Sequence, residues 1–431
     1  MNPRVRSPWC ARTATAVFAA GALILTCNAA DPRAAQPQAA IGLYSEGVAL
    51  GPDGPRLVVS GASVALRSEQ VRWLAAGTVP GPARYTDMAR QALLDLNTLV
   101  LPGGAAVAGW SENWRYVWPR DASFVAAALA RTSHADDALS ILGFLARVQD
   151  EDGTFQARYL PDGSGAAPDQ RGIQLDGSGW VLWAMAEWYD VARPGADRDA
   201  ALLELLPMAV RALGAIDRHR DPETGLPDAG PDYWEVGESE ATLGTAAPLL
   251  LGARSAERLR SAAASSAIGW QVDGALHDAA TLADHLDSAI ERSFGAGGYP
   301  RYVGGADLDA AVTFLMPPFA PARDAVHTAW DRAAPTMARP AGGLAPGGGW
   351  RRDGVSWTPE TALFALTAAA TGDLTVARGW LDWLQEHRTS LGSLPEKVMA
   401  DGQPASVAPL TWTAALVLLT LDELDRVEQT G

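Results

Sequence analysis

The chain has 431 residues, with 34 lysines and arginines against 50 aspartates and glutamates, a formal charge of −16. That balance repels nucleic acid and anionic membrane surfaces, and no basic cluster offsets it, so neutral partners are expected. Sixteen tryptophans against eight phenylalanines point towards carbohydrate, because indole combines an apolar face for stacking on a ring with a polar N–H.

Residues 1–30 read as a signal peptide. Arg4, Arg6 and Arg12 form a positive front, Ala16 to Leu25 an apolar run, and Cys27-Asn28-Ala29 supplies the small residues of a cleavage site. The run is too short to span a bilayer, so a secreted protein is expected; bulky Leu25 and Thr26 suit lipid anchoring through Cys27 poorly. Both cysteines, Cys10 and Cys27, fall in this leader, which leaves no disulfide, thiol nucleophile or thiolate metal site after cleavage. Six scattered histidines without His-x-x-x-His spacing suggest no metal site, and no cofactor is expected.

Residues 31–82 read as a linker and a short β-type segment. Ala, Pro and Gln dominate 31–40, and the runs 56–60 and 62–66 lie beyond the turn signal Gly51-Pro52-Asp53-Gly54. A hairpin packed on the main body is expected. From residue 83 to 431 nearly every periodic stretch is helical, with predicted spans at 84–100, 120–132, 135–149, 177–192, 198–218, 239–253, 255–269, 276–294, 306–316, 323–337, 358–371, 374–388 and 409–427. Hairpins of helices that alternate long polar loops with short turns predict an all-α, closed double ring acting as a monomer. An open superhelix would show a fixed repeat, and none is found.

Five stretches carry candidate chemistry. The first is Asn113 to Phe124, in which Trp114, Tyr116 and Trp118 precede the pair Arg120-Asp121 at a proline-opened helix. Such a stretch can line a pocket with aromatic faces and charged hydrogen-bonding groups. The second is Pro168 to Asp176, which contains Arg171 and places Asp176 where it would cap the next helix. In the third, Asp232-Tyr233-Trp234-Glu235, a carboxyl follows two aromatics at a helix entrance. The fourth is the Gly/Pro-rich run from Arg339 to Trp350, read as a surface loop, followed by Trp357-Thr358-Pro359-Glu360. Trp357 is a candidate pocket floor and Glu360 reads as a first-turn charge. The fifth, Gly392 to Val398, holds Glu396 among breakers, where nothing structural demands an acid. Two glutamates in separate loops, Glu235 and Glu396, supply the minimum for glycoside hydrolysis, a carboxylic acid and a carboxylate.

In that order and at those distances, Tyr116-x-Trp118-x-Arg120-Asp121, Asp232-Tyr233-Trp234-Glu235 and Leu394-Pro395-Glu396 resemble glycoside hydrolase family 15, the family of glucoamylases, glucodextranases and bacterial trehalases. The resemblance covers about Tyr85 to Leu424. It implies an (α/α)6 toroid of about twelve helices and an exo-acting, inverting α-glucosidase that releases β-glucose from non-reducing ends, with Glu235 as general acid and Glu396 as general base. Trp118, Arg120 and Asp121 match residues that hold the terminal glucose, and Trp234 flanks the acid. Arg171 lies near a family loop arginine, and Arg339 matches loosely one that bridges the first two subsites. The sequence departs from the family at Val236, where many members have a second Glu, and at Trp114, where some have Tyr. The large amino-terminal β-sandwich of many bacterial members is reduced to the 42–82 segment. The alternatives are a trehalase or glucodextranase of the same family, or a non-catalytic sugar-binding (α/α)6 protein.

Overall fold

A computed structural model describes residues 41–58 and 65–430. The expected signal peptide, the tether and most of the expected strand 62–66 lie outside those residues.

The hairpin is present but shifted towards the amino terminus. Strand β1 (Gly47–Gly51) pairs antiparallel with β2 (Gly54–Val58), and Pro52-Asp53 forms the turn that joins them. The 42–82 segment also holds a helix, α1 (Ser68–Ala76), which a β-type reading misses. Leu74 and Gln70 share its inward face, one turn apart.

Twelve further helices follow, and the ring is built from alternate members. The outer set is α2 (Thr86–Leu99), α4 (Ala135–Val148), α6 (Ala196–Arg218), α9 (Ala279–Phe294), α10 (Asp324–Met337) and α12 (Leu374–Glu386). These are amphipathic: α12 buries Ala377, Leu381 and Leu384, and α9 buries Leu282, Leu286, Ala289 and Ile290. The inner helices are α3 (Pro119–Arg131), α5 (Asp176–Val191), α7 (Leu243–Ala263), α11 (Thr358–Ala370) and α13 (Thr411–Thr430), with short α8 (Gly269–Ala275) between α7 and α9. Inner helices are buried around most of their circumference; every residue of α3 from Pro119 to Ala130 is buried. The fourth inner position is filled by a 3₁₀ helix, Ala310–Leu315. Neighbours run α3, α5, α7, the 3₁₀ helix, α11 and α13, and α13 packs back on α3, closing the ring.

Two departures from the periodic reading have local causes. The spans 239–253 and 255–269 form one helix, α7, because Arg254 breaks nothing, and the start moves to Thr242, whose side chain caps Thr245 N at 3.2 Å. The span 306–316 is cut to a 3₁₀ turn, since Asp309 is tied to Arg301 at 2.8 Å and accepts from Ala311 N, ahead of Pro317-Pro318. The crossing of α5 and α7 depends on glycine: a Cβ on Gly252 would lie 2.6 Å from the Gly179 Cα. Inside the ring, Phe124 packs against Trp180 and Trp183, each at 4.8 Å, and Trp180 meets Phe314 at 4.9 Å. Part of the tryptophan excess is therefore core.

Candidate active site

Five of the six segments that lead from an outer element to an inner one converge on a single cavity of about 340 Å³. Six tryptophans line it, Trp114, Trp118, Trp234, Trp350, Trp357 and Trp412, together with Arg120, Asp121, Arg171, Glu235, Glu360 and Glu396. Aromatic faces mixed with charged groups in a concave site suit a hydroxylated ring.

Arg120 is the hub of one wall. Pro119 opens α3, and the next two residues turn inward and are buried. The Arg120 guanidinium lies 3.2 Å from Asp121, 3.6 Å from Asp176 and 3.9 Å from Glu235, and stacks over Trp412 at 4.8 Å. One cation shared by three carboxyls does not cancel the cost of burying them. Burial therefore holds Asp121 above its ordinary value, and it raises Asp176 from 3.8 to about 6 against the pull of Arg120. Asp176 is the first residue of α5, not its cap; it accepts from Trp180 Nε1 at 3.2 Å.

Glu235 lies in a turn ahead of α7, not at a helix entrance. The turn is pinned from behind by Arg301, which is 1 % exposed and lies 2.9 Å from Asp232, 2.8 Å from Asp309 and 2.6 Å from Glu238. Asp232 in turn accepts from Trp234 N at 2.9 Å, and Arg301 stacks on the Trp234 ring at 3.7 Å. Gly347 seats the same indole, since a Cβ there would lie 2.6 Å from Trp234 Cζ2. Held this way, Glu235 takes φ +54°, a left-handed conformation that costs a non-glycine residue about 1–3 kcal/mol and clusters at functional sites. Its carboxylate accepts from Trp118 Nε1 and pairs with Arg171.

Glu396 sits at the start of a three-stranded ribbon formed by Ser356–Trp357, Lys397–Val398 and Pro404–Ala405. Three donors converge on its carboxylate: Trp114 Nε1 at 3.3 Å, Ser406 Oγ at 2.5 Å and Lys397 Nζ at 3.1 Å. Ser406 is also left-handed, with φ +67°. The amino-terminal segment backs both neutral donors. Tyr44 packs on Trp114 at 5.5 Å, and Tyr44 N bonds to Ser406 O at 3.0 Å.

Glu360 is in the first turn of α11, but it is not a solvated charge. It is 2 % exposed, no cation lies within 4 Å among the described residues, and its Oε2 has no hydrogen-bond partner. Burial, reinforced by nearby Glu396, lifts its carboxyl from 4.5 to about 8. Burial thus favours the neutral form of this acid, against the weaker pull of Arg120 and Lys397.

No known protein-family model matches the sequence. A stretch of 102 residues is 31% identical to an uncharacterized glycosyl hydrolase of Methanocaldococcus jannaschii, over 23% of this chain and only 16% of that protein's length. Among solved structures, a glycosidase superposes with a TM-score of 0.64 at 19% identity, over 84% of this chain and 99% of that one. A bacterial glucoamylase complexed with acarbose gives 0.62 at 18% identity, over 84% and 60% of the two chains. The glucoamylase from Saccharomycopsis fibuligera gives 0.59 at 14% identity, over 76% and 90%. The fold is that of the glucoamylases.

On this glucoamylase fold the expected residues Glu235, Glu396, Trp114, Trp118, Arg120, Asp121, Arg171, Trp234 and Trp357 are brought together around the cavity, and two are not. Arg339 instead ties its own loop, donating to Met337 O at 3.0 Å and Arg351 O at 3.3 Å. Tyr116 turns away to carry the Arg158 guanidinium at 4.1 Å; Arg158 grips Asp169 at 2.8 Å, and Asp169 accepts from Arg171 Nε at 3.2 Å. The glycine-rich 339–350 run is a surface loop only in part, since 343–347 are buried, and it delivers Pro346 and Trp350 to the wall. Glu360, Ser406, Trp412 and the brace Arg301 escape sequence reasoning, because each looks like an ordinary helix-start, loop or core residue until the loops are assembled.

Proposed function

We propose that the protein is a secreted glycoside hydrolase of family 15, an exo-acting, inverting α-glucosidase that releases β-glucose from short α-gluco-oligosaccharides. The observation that carries this reading is that two glutamates from separate loops, Glu235 and Glu396, line one tryptophan-walled cavity. Glu235 gives its proton to the glycosidic oxygen as the bond to the anomeric carbon breaks. Glu396 takes a proton from the water that attacks that carbon from the other face, so the product is the β-anomer. The three donors around Glu396 fix the direction of its lone pairs, as a base acting through water requires. Arg171 pairs with Glu235 and is 36 % exposed on its side chain, at the mouth where a leaving-group sugar would enter. Arg120 and Asp121 hold the terminal ring. A glycosidase variant in complex with glucose and the acarbose-bound glucoamylase, both of this fold, are consistent with a sugar in such a cavity.

Val236, directly after the acid, does not line the cavity. The second sugar therefore gains no charge-assisted bond there, and stacking on tryptophan, which reads a ring face and not one hydroxyl, takes over. This favours short substrates with relaxed linkage over long starch chains. The test is a panel of maltose, isomaltose, trehalose, maltoheptaose and dextran, with the released anomer followed by NMR. Initial release of β-glucose, lost in Glu396→Gln while glucose still binds, is the expected result. Release of α-glucose first overturns the mechanism, a steep preference for maltoheptaose returns the protein to the starch-degrading class, and activity confined to trehalose makes it a trehalase.

A further inference from the structure

Of the four acids that line the cavity, Glu360 alone has no role in the reading above. Asp121 and Asp176 share Arg120, Asp232 and Asp309 share Arg301, and Glu396 has Lys397. Glu360 alone among these buried carboxyls has no cationic partner, and its Oε2 bonds to nothing among the described residues. Leaving a buried polar group unmatched costs about 1–3 kcal/mol, so a purely structural acid here would be replaced at no loss by Leu or Gln. Four indoles that line the same cavity, those of Trp234, Trp350, Trp357 and Trp412, likewise carry buried N–H groups without an acceptor. Open donors and an open acid in one cavity match a ligand with several hydroxyls.

We propose that Glu360 is a substrate-binding residue, whose carboxyl hydrogen-bonds a hydroxyl of the terminal sugar on the side of the cavity that carries Glu396. Pro359 and Glu360 both line the cavity, and the α11 entrance is tied directly to the base: Thr358 N donates to Glu396 O at 3.0 Å. The two carboxyls are thus carried by joined backbone segments. In its neutral form Glu360 donates to a sugar oxygen without adding a second negative charge beside Glu396. Once ionised it can only accept, and like charges then oppose each other in one small space. The pocket therefore selects neutral hydroxylated rings and loses its grip in alkali.

This inference rests on the glycosidase reading, and the experiment separates the two. D-glucose binding is measured by tryptophan fluorescence between pH 5 and 9.5 for wild type, Glu360→Gln and Glu360→Leu, with circular dichroism to establish folding. Glu360→Leu should weaken glucose binding by roughly ten- to a hundredfold at pH 6, the range expected for a lost bond plus unmatched partners. Glu360→Gln, which keeps a donor and an acceptor, should stay within about fivefold of wild type. Wild-type affinity should fall above about pH 8, and the Gln variant should lack that fall, a difference that a merely structural role would not produce. Should Glu360→Leu misfold, the Gln comparison across pH decides alone. Undiminished binding by folded Glu360→Leu, or identical pH profiles for wild type and Gln, overturns the role of Glu360 and leaves the glycosidase reading standing. A wild-type protein that binds no glucose at any pH overturns both.

Discussion

Replacing Glu360 by Gln should stabilise the protein, and by an amount set by pH. The carboxyl titrates at about 8 in the fold and at 4.5 when exposed, so the unfolded chain releases its proton first. Below pH 4.5 both states hold the proton and the residue costs nothing through ionisation. As pH rises from 4.5 to 8 the unfolded state is favoured progressively, and stability is lost across that window at up to about 1.36 kcal/mol per pH unit. At pH 7 the accumulated cost is about 3 kcal/mol. Gln has the same size and leaves the same kind of unmatched polar atom, but it does not titrate. Urea denaturation of wild type and Glu360→Gln at pH 4, 5.5, 7 and 8 should give a stability difference near zero at pH 4 that grows to about 3 kcal/mol by pH 7. A difference that does not change with pH would refute the reasoning, as would a Gln variant that is the less stable at pH 7.

Three other substitutions test the surroundings of the site. Ser406→Ala removes the 2.5 Å bond to Glu396, and steady-state kinetics should show kcat reduced roughly tenfold or more with KM little changed, since a bond to a charged group is worth about 1.5–3 kcal/mol; an unchanged kcat excludes a role in holding the base. Asp121→Ala should lose roughly ten- to a hundredfold in kcat/KM on the same grounds, and full activity in a folded variant removes the Arg120-Asp121 wall from sugar binding. Arg301→Met leaves Asp232, Asp309 and Glu238 buried without their cation. Chemical denaturation should register a loss of about 3–5 kcal/mol, and a loss under 1 kcal/mol would mean that water or protonation replaces the arginine.

The long helices were legible because their apolar spacing is a local property: α2 to α6 and α10 to α13 lie where three- and four-residue periodicity places them. The 3₁₀ helix at Ala310–Leu315 was not, because its cap, Asp309, is held by a buried ion pair to Arg301 that apolar spacing does not reveal. The same division runs through the site. Trp118, Arg120 and Asp121 could be picked out because aromatics and a charge pair at a proline-opened helix are unusual in themselves. Arg339 and Arg301, by contrast, are both loop arginines near glycines, and only tertiary contact shows that the first ties its own loop while the second braces Trp234. Glu360 was read by the commonest use of an acid in a first helical turn. What distinguishes it is burial, which is a property of α11 among its neighbours and not of the sequence Thr-Pro-Glu. The left-handed backbone at Glu235 has no signature either, since neither glycine nor asparagine marks it.

The packing of α13 against α3 sets the order in which this protein can become functional during its synthesis. One wall of the cavity comes from Trp114 to Asp121, whereas its counterpart, Glu396 to Trp412, is made only after the intervening ring helices. The bond from Trp114 Nε1 to Glu396 spans 282 residues. A nascent chain can form its helical hairpins one after another, but the pocket has only half its wall until the last inner helix docks, and such non-local closure is slow compared with hairpin formation. A chain interrupted before Glu396 thus lacks Glu396, Lys397 and Trp412, and with them one side of the cavity.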